Sequence, residues 1–336
     1  MARLRVLASP RALVLAALVV SGVAALLWFA PSNQYLFLPD KARPVAPLVK
    51  VPDEEPLAGK GGIYMVEILL RKANLLERLF PSLHDGATLV PAHAINPFGV
   101  SEGQRRKIGL GQMTRSQQVA AAVALRELGY EVDATPTGAE VLVVLPGTPA
   151  AGALEPGDVI VRAKGRVVRL RGDLPRIMTG HRPGTPVTFT VRRSGGLRRV
   201  TLGTQAGEVD GRAIVGIQVG QAAEIDLPVK VRIDAGPVIG PSAGLAFALD
   251  IVDELGHEVD NGRRVVVTGE LDLDGNVGPI GGVKQKTIGA REAGADVFIV
   301  PAGNATEARR YAEDLEVVPV ETFSEALSAL GAAEAD

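Results

Sequence analysis

Residues 12–30, ALVLAALVVSGVAALLWFA, form an unbroken run of apolar and small side chains. As a helix rising about 1.5 Å per residue, the run would span roughly 28 Å, close to the hydrocarbon thickness of a bilayer. A core helix of a soluble unit carries a polar face, and this run has none. Arg3, Arg5 and Arg11 precede it. By the positive-inside rule they put residues 1–11 in the cytoplasm and everything beyond the run outside. Trp28 and Phe29 stand at its far end, where interfacial aromatics belong. The rival reading is a cleaved signal peptide, whose apolar stretch is shorter, about 7 to 15 residues. The uncleaved single-pass anchor is the preferred expectation, and either reading leads to an extracytoplasmic location.

Residues 31–59 are rich in proline and mixed in charge, and they are expected to form a semi-extended tether. The 336-residue length then leaves room for two compact units. A formal net charge of −2 supplies no excess of cations to neutralise phosphates, so nucleic acid is not an expected partner. With no cysteine, thiolate catalysis, Cys-ligated zinc and disulfides are excluded. His84, His93, His181 and His257 are scattered without metal-ligand spacing, so no metal or other cofactor is expected.

The segment 62–70, GIYMVEILL, reads as β-rich, with a helical pattern after it over 74–80. The stretch 113–128, MTRSQQVAAAVALREL, has helical spacing and good helix formers, with Gly129 as its stop. Short strands and turns follow, with GTPAAGALEPGDVIVRAKGRVV at 147–168 and a short helix RGDLPRIMT at 171–179. From Pro228 strands and helices alternate, with PVKVRI as a strand and a helix over 242–255, which argues an α/β or α+β unit.

Two segments carry chemistry. GPSAG at 240–244 opens an amphipathic helix, so Ser242 lies beside backbone N–H groups suited to an oxyanion. Gly240, Pro241, Ala243 and Gly244 make up that oxyanion and substrate loop, with glycines that admit a substrate backbone. Alone, a serine at a helix start is ordinarily a cap. PIGGVKQK at 279–286 changes that reading, because a serine nucleophile needs a base and a buried lysine can be one. Its pKa would have to fall from about 10.4 by roughly 2 to 3 pH units. Lys284 and Lys286 are two apart on one helix and cannot both face the serine.

GPSAG at 240–244, TGE at 268–270 and PIGGVKQK at 279–286 resemble the proteolytic domain of the Lon family. The resemblance implies a dyad of Ser242 and Lys286, with Thr268 orienting the lysine. It extends to Gly111, Met113 and Ser116 in the helix near 110. The stretch 133–204 resembles a PDZ domain of bacterial proteases. The fold expected is α+β: an N-terminal transmembrane helix and a Lon-type proteolytic domain with an embedded or preceding PDZ domain. In the embedded form the protease is built from 60–132 and 205–333; a linear PDZ-then-protease order is the alternative. The PDZ groove is expected between the 139–145 strand and the 171–179 helix, lined by Leu174 and Ile177.

Two departures from the family stand out. The aspartate usual three residues before the serine is missing, and Asp234 is a candidate replacement. No G-x-x-x-x-G-K-[ST] loop occurs in the sequence, so the function expected is ATP-independent. It is that of a membrane-anchored serine endopeptidase acting on extracytoplasmic or membrane-associated proteins, with substrate recruitment by the PDZ groove. A hexameric ring is implied by the resemblance alone. The alternatives are a catalytically silent PDZ adaptor at the membrane and a chain that cleaves only itself.

Overall fold

The computed structural model describes residues 10–52, 61–96, 99–207 and 211–331. Residues 1–9, with Arg3 and Arg5, and residues 53–59 of the expected tether lie outside these. Helix α1 (Pro10–Phe29) is long and apolar enough to cross a membrane. Over residues 11–29 its side chains are exposed except at Ala24 and Leu27, which are part-covered.

The tether expectation is corrected for residues 31–52, which belong to the folded body. Strand β1 (Pro31–Pro39) starts one residue after α1. Its two prolines fall at the ends, where a missing ladder donor costs least. Tyr35 and Leu36 between them are buried. Further on, Val45, Val49 and Val51 are also buried. Proline content signalled an extended chain, and that chain is extended because it is paired.

Strands β2 (Gly62–Met65) and β3 (Ile68–Asn74) are separated by Val66 and Glu67. A capping box formed by Asn74 and Glu77 opens helix α2 (Leu75–Leu79). Strand β4 (Thr88–Pro91) and β3 flank β1 in an antiparallel three-stranded sheet. Helix α3 (Glu102–Glu127) begins well before the expected residue 113. Its polar first half hides the periodicity, but Ser101 and Gln104 form a capping box that starts it. Gly129, at φ +81°, ends it in the left-handed region as expected.

The β-rich unit holds β5 (Asp133–Val144), β6 (Val159–Ala163), helix α4 (Asp173–Met178), β7 (Val187–Arg193) and β8 (Gly196–Leu202). Strand β9 (Ile217–Asp226) completes its sheet in the order β8-β7-β6-β5-β9, antiparallel throughout. The strand expected at 228–233 is thus displaced upstream. The alternating IQVGQAAEID makes the long strand, and only Arg232–Ile233 pairs farther on, with Val49–Lys50.

The last part alternates as anticipated. Helix α5 (Gly244–Glu254) precedes strands β10 (Arg264–Val267) and β11 (Glu270–Leu271). Helix α6 (Val283–Glu292), strand β12 (Val297–Pro301), strand β13 (Glu316–Val320) and helix α7 (Phe323–Leu330) follow. β2, β10, β12 and β13 lie side by side in parallel, and Arg43–Pro44 adds an antiparallel edge. One core joins Val45, Ile63, Val119 and Val123 to Phe247, Ile251, Val267 and Phe323. The β-rich unit keeps a core of its own around Val141, Ile160, Phe189 and Val191. Chain segments on both sides of the β-rich unit therefore share a single core, and α3 packs on α5 within it. The observed class is mixed α and β.

Because β1 and Val45 are inside, a chain starting at Pro31 should resist limited proteolysis, whereas one starting at Gly61 should be degraded. Leu36→Ala, at a fully buried position, should cost about 2–5 kcal/mol in denaturant unfolding. A loss below 0.5 kcal/mol, roughly the scale of a neutral surface change, would return residues 31–39 to tether status.

Candidate active site

The loop before α5 is clamped from two sides. Gly240 adopts φ +91°, a region open to glycine but strained for other residues. Its N–H donates to Gly109 O on α3 at 3.0 Å, and the Ser116 hydroxyl donates to Pro241 O at 3.0 Å. From the other side the Gly269 N–H and the Thr268 hydroxyl both donate to Ser242 O, at 2.9 and 3.2 Å. A Cβ at Gly244 would stand 2.7 Å from the Ser116 hydroxyl, so this close approach requires glycine.

The helix expected from residue 242 begins at Gly244, with Ala243 at its cap position and no capping side chain. Ser242 is therefore not used as a cap, and its side chain points elsewhere. The Gly244 N–H donates to Pro241 O and the Leu245 N–H to Gly269 O. Among the described residues, the Ser242 and Ala243 amides donate to no protein group.

Lys286 meets the serine. Helix α6 starts from Gly282 in the left-handed conformation, and Lys286 lies one turn in. Its Nζ donates to Ser242 Oγ at 2.8 Å and to Thr268 Oγ1 at 2.8 Å. Lys286 is 3% exposed and Thr268 fully buried. Burial pushes the lysine down to about 8, against a smaller upward pull from the Glu67 carboxylate. Lys284, two residues earlier, turns the other way: its Nζ donates to Ala87 O at 3.1 Å and lies 5.6 Å from the centre of the Tyr311 ring. Gln285 donates to Gly86 O and to Thr88 Oγ1, both at 2.9 Å. These bonds tie α6 to the segment leading into β4.

Glu67 is the group that reading the sequence missed. It sits in the two-residue step between β2 and β3 and is ion-paired with Arg43. The pairing of β2 with β10, and the packing of Val66 against Val283 and Ala290, bring that step near the lysine. Asp234 is exposed and accepts the Gly236 N–H at 3.1 Å, capping its own turn. The position three before Ser242 is Ile239, against which Gly109 packs.

Two observations bear on the expected PDZ groove. Leu174 and Ile177 are buried in the core of the β-rich unit, because an i, i+3 pair on so short a helix must face its sheet. The edge of β5 is also occupied, since β9 pairs along it. The Gln221 side chain on β9 accepts the Arg171 N–H at 2.9 Å and donates to Arg169 O at 2.9 Å. The outer edge of β9 therefore faces the segment leading into α4. A cavity of about 600 Å³ opens there. Leu142, Leu170, Val219 and Gln221 line it on one side, and Pro241 and Leu271 on the other. The Arg115–Glu140 ion pair, 3.6 Å, crosses between the two sides.

Residues 211–331 match the Lon protease (S16) C-terminal proteolytic domain, and residues 121–204 match the PDZ domain. Lon protease 1 of Sorangium cellulosum is 30% identical over 261 residues, covering 68% of this chain and 30% of that protein. Lon protease of Vibrio parahaemolyticus is 33% identical over 162 residues, 46% of this chain and 20% of that one. Lon protease 2 of Bacillus subtilis is 36% identical over 103 residues, 30% and 18% respectively. The chain thus spans less than a third of the length of these relatives. The crystal structure of the PDZ domain of an SdrC-like protein from Listeria innocua aligns at 22% identity with a TM-score of 0.24, over 25% of this chain and 96% of that one. The chain carries a proteolytic domain of the Lon type, a serine-peptidase family, together with a PDZ domain.

A lysine pushed from 10.5 to about 8 has a definite effect on stability. Between those values the unfolded chain binds more protons, so this group makes stability rise with pH. Its penalty is full below about 8 and gone above about 10.5. At 1.36 kcal/mol per pH unit the penalty is on the order of 3 kcal/mol. Lys286→Met should match or exceed the parent in denaturant unfolding at pH 6, with the gain fading toward pH 10. A gain that grows with pH would contradict the assignment.

Proposed function

We propose that this chain is a membrane-anchored serine endopeptidase that works without ATP, with Ser242 as nucleophile, Lys286 as general base and Thr268 as the group orienting the lysine. The single observation that carries the reading is the 2.8 Å contact between a buried Lys286 Nζ and Ser242 Oγ. The neutral lysine takes the hydroxyl proton as Oγ attacks a peptide carbonyl carbon. Charge then develops on the carbonyl oxygen, and the partner-free amides of Ser242 and Ala243 are suited to receive it. Collapse of the tetrahedral intermediate expels the amine, which takes the proton back from the lysine. Water, deprotonated by the same lysine, releases the acyl group and restores the hydroxyl.

Localisation and recognition are part of the same proposal. Helix α1 supports an uncleaved anchor, because it packs on α2 and the carbonyl of Ala30, the residue after it, accepts the Leu75 N–H at 2.9 Å. A cleavage after the apolar run would remove packing that the folded body uses. The catalytic unit would lie outside the cytoplasm and act on extracytoplasmic or membrane-associated polypeptides. Assembly into a hexameric ring belongs to the proposal as well. The 600 Å³ cavity between the β-rich unit and the Pro241 side is suited to an extended chain recruited by the PDZ domain and led toward Ser242.

Purified protein should cleave an unfolded protein substrate at a rate unchanged by ATP and magnesium, and a fluorophosphonate should label it once, at Ser242. Ser242→Ala should abolish labelling and lower cleavage on the order of 10⁴-fold or more, whereas Lys284→Met should keep both. A parent chain that binds peptides but neither labels nor cleaves would make it an adaptor. Cleavage confined to its own polypeptide would limit it to self-processing.

A further inference from the structure

Next to α1 lies a surface that the catalytic reading leaves unused. Leu79, Phe80 and Leu83 follow one another through the end of α2 and the turn after it, and they are 59%, 54% and 52% exposed. Three large apolar side chains this close in sequence and this open to solvent are unusual in a folded body. They are not on a loose loop. Glu77, fully buried, is bound by the two terminal guanidinium nitrogens of Arg71, by the Asn74 N–H and by His84 Nε2 at 2.8 Å. The hydrogen bond from Arg71 is the main cause that holds its carboxyl down to about 2. The cluster therefore fixes α2 and the 81–83 turn as one rigid projection.

The location of this projection identifies what covers it. No linker separates α1 from the body: the Ala30 carbonyl receives the Leu75 N–H, and the Ser32 hydroxyl donates to Ala73 O at 2.7 Å. Helix α2 packs on α1, whose part-covered stripe at Ala24 and Leu27 lies on its last turns. The same turns end in the exposed Trp28 and Phe29. Wherever the end of α1 leaves a bilayer, α2 and its apolar residues are held beside it. Exposed Arg78, within the same projection, can meet lipid phosphates.

We propose that Leu79, Phe80 and Leu83 form a second membrane contact that dips into the headgroup and acyl boundary of the leaflet where α1 ends. The inference rests on the reading of α1 as an anchor. Interfacial burial of Leu and Phe beside a cationic residue is the composition such a contact needs. Its consequence is orientation. A lone helix would let the body swivel, whereas two contacts fix it. Strand β1, which follows α1 directly, packs on α6, so the contact would also fix the height of Lys286 above the lipid.

The absence of cysteine makes the test clean. Full-length single-cysteine variants Phe80→Cys, Leu83→Cys, Val19→Cys and Leu197→Cys would each carry an environment-sensitive fluorophore. They would be reconstituted in phosphatidylethanolamine–phosphatidylglycerol vesicles containing spin-labelled lipids. Val19 lies within α1, and Leu197 is an exposed residue of the β-rich unit. The proposal expects headgroup-level spin labels to quench the Phe80 and Leu83 probes about twofold or more, with the Leu197 probe unaffected. If the Val19 probe is quenched by acyl-chain labels while Phe80 and Leu83 behave like Leu197, the anchor stands and the second contact is refuted. An unquenched Val19 probe overturns the anchor and this inference with it.

Discussion

The catalysis proposed for this chain depends on keeping one ammonium-bearing side chain out of water at 2.8 Å from a serine hydroxyl. Water would hold Lys286 charged, and a charged lysine cannot take a proton. Burial reverses that preference, while the Thr268 hydroxyl still gives the Nζ a polar partner. The arrangement opposes folding in full below about pH 8 and progressively less up to about 10.5, because a buried lysine must lose its proton or stay desolvated and charged. The large shared core around Phe247, Val267 and Phe323 is what the fold sets against that penalty.

The same requirement explains why distant segments converge on the site. Helix α3 holds the serine loop through Gly109 and Ser116, and the end of β10 holds it through Thr268 and Gly269. Helix α6 is held in turn by the segment 86–88 through Lys284 and Gln285. The serine and the lysine thus sit on separate elements, each fixed by bonds to a third. A loop bound on one side only would let the 2.8 Å contact drift, and proton transfer depends steeply on such distances.

Much of the site was legible because its chemistry is local in sequence. Ser242, Thr268 and Lys286 each sit in a short Gly-rich or helix-entry segment, and i, i+2 spacing alone forbade Lys284 and Lys286 from sharing a face. What stayed hidden depends on pairing. Glu67 comes near enough to pull on the charge of the lysine because β2 lies against β10 and Val66 packs on α6, and nothing within VEILL announces that. Residues 31–39 looked like a tether because prolines and charges flank them, yet Tyr35 and Leu36 are buried between β3 and β4. Leu174 and Ile177 face the sheet from a six-residue helix, and Ile177 also lines a small pocket with Asp173 and Arg176. The edge of β5 is covered by β9, which comes from beyond the β-rich segment, and no local pattern in 139–145 announces that pairing.

The most direct test of the account is the pH dependence of Ser242 acylation by a fluorophosphonate, measured as a second-order rate constant on the intact protein. Phosphonylation needs only a deprotonated base beside the hydroxyl, so it reports the proton state of that base without substrate binding or product release. The account predicts a rate that rises through a single midpoint near the value of about 8 set by burial of Lys286, then levels off. In Lys286→Met that rise should be absent and the residual rate small. A parent profile flat across this range, or one whose midpoint survives Lys286→Met, would contradict the assignment of Lys286 as the base.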